Sequence, residues 1–175
     1  GFNYARLDML HRGHIYNEYV HITQIKDIAD KYWSPLEYII ATGNKAVLKA
    51  NESGIEYTDE SLELYFHTIE DKVVFYADQY KDESKFIFVP SIATAESLVP
   101  LIPDSAVISA YTKRKERDKI FSDFIAGKLK AILNVNVLGV GIDMPFLRII
   151  IDANPTMSLA RQYQKIGRLT RKHPY

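Results

Sequence analysis

Cysteine is absent from the 175 residues, which excludes disulfides and thiolate metal sites and fits a reducing compartment. A zinc site would need histidine and carboxylates alone, and His11, His14 and His21 stand at no spacing that a zinc pattern uses, so no metal site is expected. Neither sign of charge is in excess: Lys plus Arg and Asp plus Glu each total 22, so a polyanionic partner would have to be met by local basic patches. No apolar run approaches the roughly 20 residues that span a bilayer, and Gly1 to Arg6 lacks the apolar core of a secretion signal. A soluble intracellular protein, cytoplasmic or nucleoid-associated, with no membrane partner is the expectation. Also missing are a nucleophile elbow and a Gly-x-x-x-x-Gly-Lys-Ser/Thr loop, since Gly127-Lys128 is followed by Leu129 and preceded by no glycine at the needed place. The chain by itself is therefore not expected to hydrolyse ATP. Its first residue is Gly, and Arg171 to Tyr175 trail a helical pattern without a closing element, so both ends are expected to be cuts from a longer protein.

What is present suits one packed domain with an appendage. The chain is 47% hydrophobic with 12 Tyr and 8 Phe, enough to fill a core. Thr23 to Tyr32 carries a helical stripe of Ile25, Ile28, Ala29 and Tyr32 that Ser34-Pro35 stops. Tyr38 to Ala41 and Ala46 to Leu48 read as short strands about a Gly43-Asn44 turn, and Asn51 to Tyr57 as a polar loop. Two helices follow, from Thr58 to Ile69 and from Val73 to Tyr80.

From Lys85 the rhythm becomes strand and helix in turn. Phe86 to Val89 is a solid apolar run, as in a strand buried on both faces, and a helix from Ser91 to about Leu101 follows. Ala106 to Ser109, Lys130 to Val135 and Arg148 to Ile151 are further strands; a helix from Lys113 to Ala126 is closed by Gly127, and another starts near Ser158. This alternation predicts an α/β fold with a parallel sheet flanked by helices, whose ligands gather at the carboxyl edge of the strands. Ile149 to Asp152 imitates a magnesium-holding strand, but Ala153 follows where a catalytic Glu would stand, so Asp152 reads as a loop or interface residue.

Near the end, Gln164-Lys165-Ile166-Gly167-Arg168-Leu169-Thr170-Arg171 places Arg161, Gln164, Arg168 and Arg171 on one helical face, with Leu159, Tyr163 and Ile166 on another that would anchor it to the sheet. Guanidinium forks suit phosphate oxygens, although spacing alone also fits a solvated basic helix. Gly167 inside this stretch suggests close approach or a helix end.

The string resembles the Q-x-x-G-R-x-x-R of helicase motif VI. Upstream, Ile132 to Pro145 is similar to motif V, in which a strand enters a loop bearing G-x-D-x-P, here Gly141, Asp143 and Pro145, with Asn136 where many relatives carry Thr. Lys85 to Ala95 looks like motif IV, although Ser91 as a simple helix cap is an equal reading. Ser109 to Arg117 resembles the segment between motifs IV and V whose loop and basic helix start face nucleic acid, a solvated face being the alternative. More loosely, Ile28 to Leu36 is similar to the connector between the two motor domains. The chain thus resembles the second RecA-like domain of a superfamily 2 helicase, of a branch that includes phage and bacterial enzymes with D-E-x-H boxes.

That resemblance implies residues 1–57 as connector and 58–175 as the C-terminal RecA-like, P-loop NTPase-like domain of an ATP-dependent helicase or translocase. It implies Arg168 and Arg171 as arginine fingers. Gln164, Gly141 and Asp143 fall to the nucleotide, and Ser91, Thr94, Thr112, Lys113 and Asn136 to nucleic-acid phosphates. ATP and magnesium would be held mainly by an N-terminal RecA-like domain, and the track would be DNA in the first place, or RNA. A nucleic-acid-binding or regulatory module without motor activity, and a free-standing nucleotide-binding domain, are the rival readings.

Overall fold

The computed structural model describes residues 37, 39–137 and 146–169. The helix expected at 23–32, the connector-like stretch, His11, His14, His21, Tyr38, the loop with Gly141 and Asp143, and Arg171 lie outside the described residues.

Four strands form one sheet: β1 (Lys85–Val89), β2 (Ser105–Ile108), β3 (Ala131–Val135) and β4 (Ile149–Asp152). Their order is β2-β3-β1-β4, and every pairing is parallel, with Lys85 opposite both Ala131 and Ile149. All five residues of β1 and of β3 are buried, Lys85 and Asn134 among them, as the largely apolar character of both strands suits in central strands covered on both faces.

Helices α1 (Asp59–His67), α2 (Glu70–Gln79) and α3 (Ile92–Leu98) cover one face, where Phe66, Ile69, Val73 and Leu98 meet Ile87, Val89 and Leu133. Helix α4 (Arg114–Ile125) covers the other, where Phe121 and Phe124 meet Phe86, Phe88 and Ile132. The alternation of Phe86 and Phe88 with Ile87 and Val89 divides β1 between the two layers. From β1 to β2 the chain moves two places across the sheet by way of α3; from β2 to β3 it comes back one place by way of α4. Opposite directions on opposite faces give both crossovers one hand, as the rule for parallel strands demands.

Two helices fill 59–79, as expected, with a break at Thr68 and Ile69. Thr58 caps α1 by accepting from the Ser61 amide. The stretch before them differs from expectation. Ile39 to Thr42 forms no regular element, and Lys45–Val47 is a single 3-10 turn rather than a strand, with the Asn44 side chain accepting from the Ala46 amide. Gly43 serves close packing: a Cβ there would lie 2.5 Å from Ile69 Cγ2 and 2.8 Å from Tyr65 Cε2. Val47 and Leu48 rest on the same core layer.

Candidate functional site

Because all four strands run the same way, the segments leaving β1, β2, β3 and β4 open on one edge of the sheet. After β1, Ser91 caps α3, accepting from the Thr94 amide at 3.1 Å. The Ser91 hydroxyl donates to Thr94 Oγ1, and the Thr94 hydroxyl donates to Glu63 Oε2 of α1 at 2.6 Å. Thr94 is only 6% exposed, so contact with an outside phosphate would require this chain of bonds to rearrange. Helix α3 has seven residues, which limits the field that its amino end can add.

After β2 the turn is tightly closed. Ser109 N–H donates to Thr112 Oγ1 at 2.9 Å, Tyr111 N–H to Ser109 Oγ at 3.2 Å, and Arg117 Nη2 reaches the carbonyls of Ser109 and Thr112. Lys113 begins α4 as its cap residue without a side-chain capping bond, and it is exposed together with Arg114 and Lys115. Three cations at a helix amino end oppose the dipole, so stability does not account for them.

After β3 the buried Asn134 grips the backbone of Val137 twice, accepting from its N–H at 3.0 Å and donating to its carbonyl at 3.1 Å. The chain between them bends through Asn136, which sits in the left-handed region at φ 56, a conformation that asparagine tolerates better than most residues. Asn136 is exposed, and its Oδ1 accepts from Asn154 Nδ2 at 3.4 Å.

Past β4, Ser158 caps α5 (Leu159–Ile166). The expected anchoring of this helix needs correction: Leu159 and Tyr163 are about half exposed, at 51% and 50%, and the one buried side chain of α5 is Lys165, at 4%. Its ammonium donates to Asp152 Oδ1 at 2.8 Å and to the Asn154 carbonyl, and lies 5.3 Å from the centre of the Phe88 ring. A lysine stem is apolar, so the residue packs like an aliphatic one while its charge is matched at the tip. Asp152 is thus the last residue of a strand and an ion-pair partner, not a loop residue.

The helix ends at Gly167, where a Cβ would meet the Tyr163 carbonyl at 2.9 Å. Arg168 follows in the closing turn, its amide bonded to the Lys165 carbonyl, and is half-buried, while Gln164 is exposed. The helical face expected to run on to Arg171 is therefore cut short as a helix after Ile166.

Sequence reasoning passed over Glu56. Its carboxylate accepts from Thr156 Oγ1 at 2.5 Å, from the Met157 amide at 2.8 Å and from Arg161 Nη1 at 3.4 Å. Burial pushes against its charge, but the bonds from Thr156, Met157 and Tyr57 and the Arg161 charge outweigh burial and hold the carboxyl below its ordinary value of 4.5. Nothing in a polar loop marks such a residue, because its partners lie about a hundred positions away.

Among the described residues no group of three His, Asp or Glu side chains could hold a metal ion, and no helix is long and apolar enough to cross a membrane.

IRC3 of Saccharomyces cerevisiae, described as an ATP-dependent helicase, is 30% identical over 122 residues, which is 67% of this chain and 16% of that protein. The 51.5 kDa protein of a Lactococcus phage is 27% identical over 105 residues, 58% of this chain and 23% of the relative. The chain therefore spans less than a quarter of either. Among solved structures, the C-terminal domain of the DEAD-box protein Dbp5 overlays at a TM-score of 0.48 with 25% identity, covering 61% of this chain and 64% of that one. The profile of the helicase conserved C-terminal domain matches residues 66–173, from the end of α1 through the arginine-bearing segment, and the chain belongs to that family, as the C-terminal domain of a superfamily 2 helicase.

Proposed function

We propose that the protein carrying this chain is an ATP-dependent helicase or translocase in which residues 58–175 form the second motor domain and residues up to 57 the connector to the first. The observation that carries this reading is the seating of α5. Lys165 pins it to Asp152 at the carboxyl end of β4, the edge on which the segments after β1, β2 and β3 also open, and Gln164 and Arg168 are its near neighbours in the chain, which supports a place for them there. The donors present suit a nucleotide's phosphates: an exposed amide at Gln164 and a guanidinium at Arg168, one turn apart.

ATP, bound mainly with its magnesium on the N-terminal domain, supplies the phosphoryl group that is transferred to water. Arg168 and Arg171 reach across the interdomain cleft to stabilise the charge on that group. Gln164, Gly141 and Asp143 border the nucleotide and tie its presence to closure of the cleft. Thr112, Lys113 and Asn136 hold phosphates of the nucleic-acid backbone, and Ser91 and Thr94 join them when their bonds to each other and to Glu63 are exchanged. Contacts of this kind favour affinity with little sequence preference. DNA is the proposed track, with RNA as the comparison.

The test is made in the full-length protein. Arg168→Ala should abolish nucleic-acid-stimulated ATP turnover while ATP binding, followed by a fluorescent analogue, stays within a few-fold. Turnover at the wild-type rate would end the assignment of Arg168.

A further inference from the structure

We propose that Glu56 is a positioning residue for the arginine-bearing helix: it fixes the amino end of α5 to the segment that leads into α1, so that the connector and the arginines move together. This rests on the reading of Arg168 given above.

Helix α5 is held at its carboxyl half by Lys165, its one buried side chain. The amino half buries no side chain fully, and Leu159, Arg161 and Tyr163 are exposed. What holds it is a carboxylate from outside the helix. Glu56 Oε1 accepts from the Met157 amide at 2.8 Å and from its neighbour Tyr57 at 3.1 Å; Oε2 accepts from Thr156 Oγ1 at 2.5 Å and from Arg161 Nη1 at 3.4 Å. Thr156 Oγ1 in turn accepts from the Ser158 amide at 3.0 Å, so the two residues before the helix cap, the cap itself and the first turn are all tied to one side chain.

Glu56 is itself set in a stiff loop. The Asn51 amide donates to the Glu56 carbonyl at 2.7 Å, Asn51 Oδ1 accepts from Ser53 Oγ and the Ile55 amide, and a bridge joins Ala50 to Tyr57. The Thr58 amide then bonds to the Lys49 carbonyl, and Thr58 caps α1. A side chain preordered in this way holds its partners at little entropic cost. Arg161 is thereby paired with Glu56.

The experiment compares four versions of the full-length protein under nucleic-acid-stimulated ATP turnover: Glu56→Ala, Glu56→Gln, Arg168→Ala and, as a control for lost stability, Val73→Ala in the core of α2. Loss of the tie displaces the arginines without touching the nucleotide's main site, so Glu56→Ala should lower kcat on the order of 10- to 100-fold with KM for ATP within about threefold. Glu56→Gln, whose carbonyl still accepts from Met157 or Thr156, should recover part of that loss, and it stands in for the alanine variant should the latter fail to fold. Val73→Ala should keep kcat per folded molecule. If Arg168→Ala is dead while Glu56→Ala and Glu56→Gln turn over at the wild-type rate, the positioning role falls and the arginine reading stands. Equal losses in Glu56→Ala and Val73→Ala also overturn it, as a plain effect of stability. Normal turnover by Arg168→Ala removes the arginine reading and this proposal with it.

Discussion

Lys85 opens β1 with 1% of its surface exposed, and its ammonium donates to the Lys81 carbonyl at 3.3 Å. Burial, then the charge of Lys130, lowers its pKa from the ordinary 10.5, with Asp82 and Glu83 acting the other way. Between that lowered value and 10.5 the unfolded chain binds more protons at this site than the folded one, so stability rises with pH across the window. Lys85→Met should therefore raise the melting temperature at pH 7 by about 2–4 °C for each kcal/mol gained, and the advantage should shrink as pH climbs toward 10.5. Melting curves taken from pH 7 to 10 with a constant difference would refute this. At the same scale, the cap at Ser91 was legible, because a hydroxyl residue ahead of an apolar stripe is a local signal. The pairing of Asp152 with Lys165 was not: an apolar run ending in Asp looks the same whether its partner is a metal, a loop or an ammonium.

The central strands β1 and β3 were read correctly, since mostly apolar runs bounded by polar residues suit strands covered on both faces. Helix α5 shows where that logic stops. Periodicity assigns apolar residues to the sheet, but an eight-residue helix seated on the polar rim of the sheet is held by ion pairs and hydrogen bonds, and its Leu159 and Tyr163 are left outside. The stretch before α1 misled for a different reason. A Gly-Asn pair suggests a turn between strands, whereas Gly43 is there because α1 and Ile69 leave no room for a side chain. Ile69 and Tyr65 are buried and cannot swing away, so Gly43→Ala should cost about 1–3 kcal/mol by overpacking. Chemical denaturation measures it, and an unchanged midpoint would show that the 3-10 turn slides freely on α1.

For the whole molecule, equal numbers of acidic and basic residues conceal a local concentration of cations at Lys113, Arg114 and Lys115 on the edge where the other candidate residues open. If Lys113 meets a backbone phosphate, Lys113→Ala in the full-length protein should weaken binding similarly for unrelated sequences. It should also flatten the slope of log affinity against log salt by about 0.7 on a single strand. A weakened affinity with an unchanged slope would assign Lys113 another role. The alternation of strands and helices was enough to expect a parallel sheet with its business at one edge, but not the order of the strands. Nor could it show that Glu56 closes on Thr156 and Arg161, for no periodic pattern links residues so far apart in the chain.

That strand order also has a consequence in time. Of the sheet's two inner strands, β1 is the earliest of all four strands to leave a ribosome, yet its neighbours β3 and β4 are the last two. At about 5–20 residues per second, the ribbon Lys85-Phe86-Ile87-Phe88-Val89 waits seconds for β3 to cover one hydrogen-bonding edge, and its other edge stays bare until Asp152 has been made. Through that interval α1, α2 and α3 are on hand to shelter the face that carries Ile87 and Val89, and α4 the face that carries Phe86 and Phe88, so it is the strand's bare edges that expose the newborn chain to aggregation.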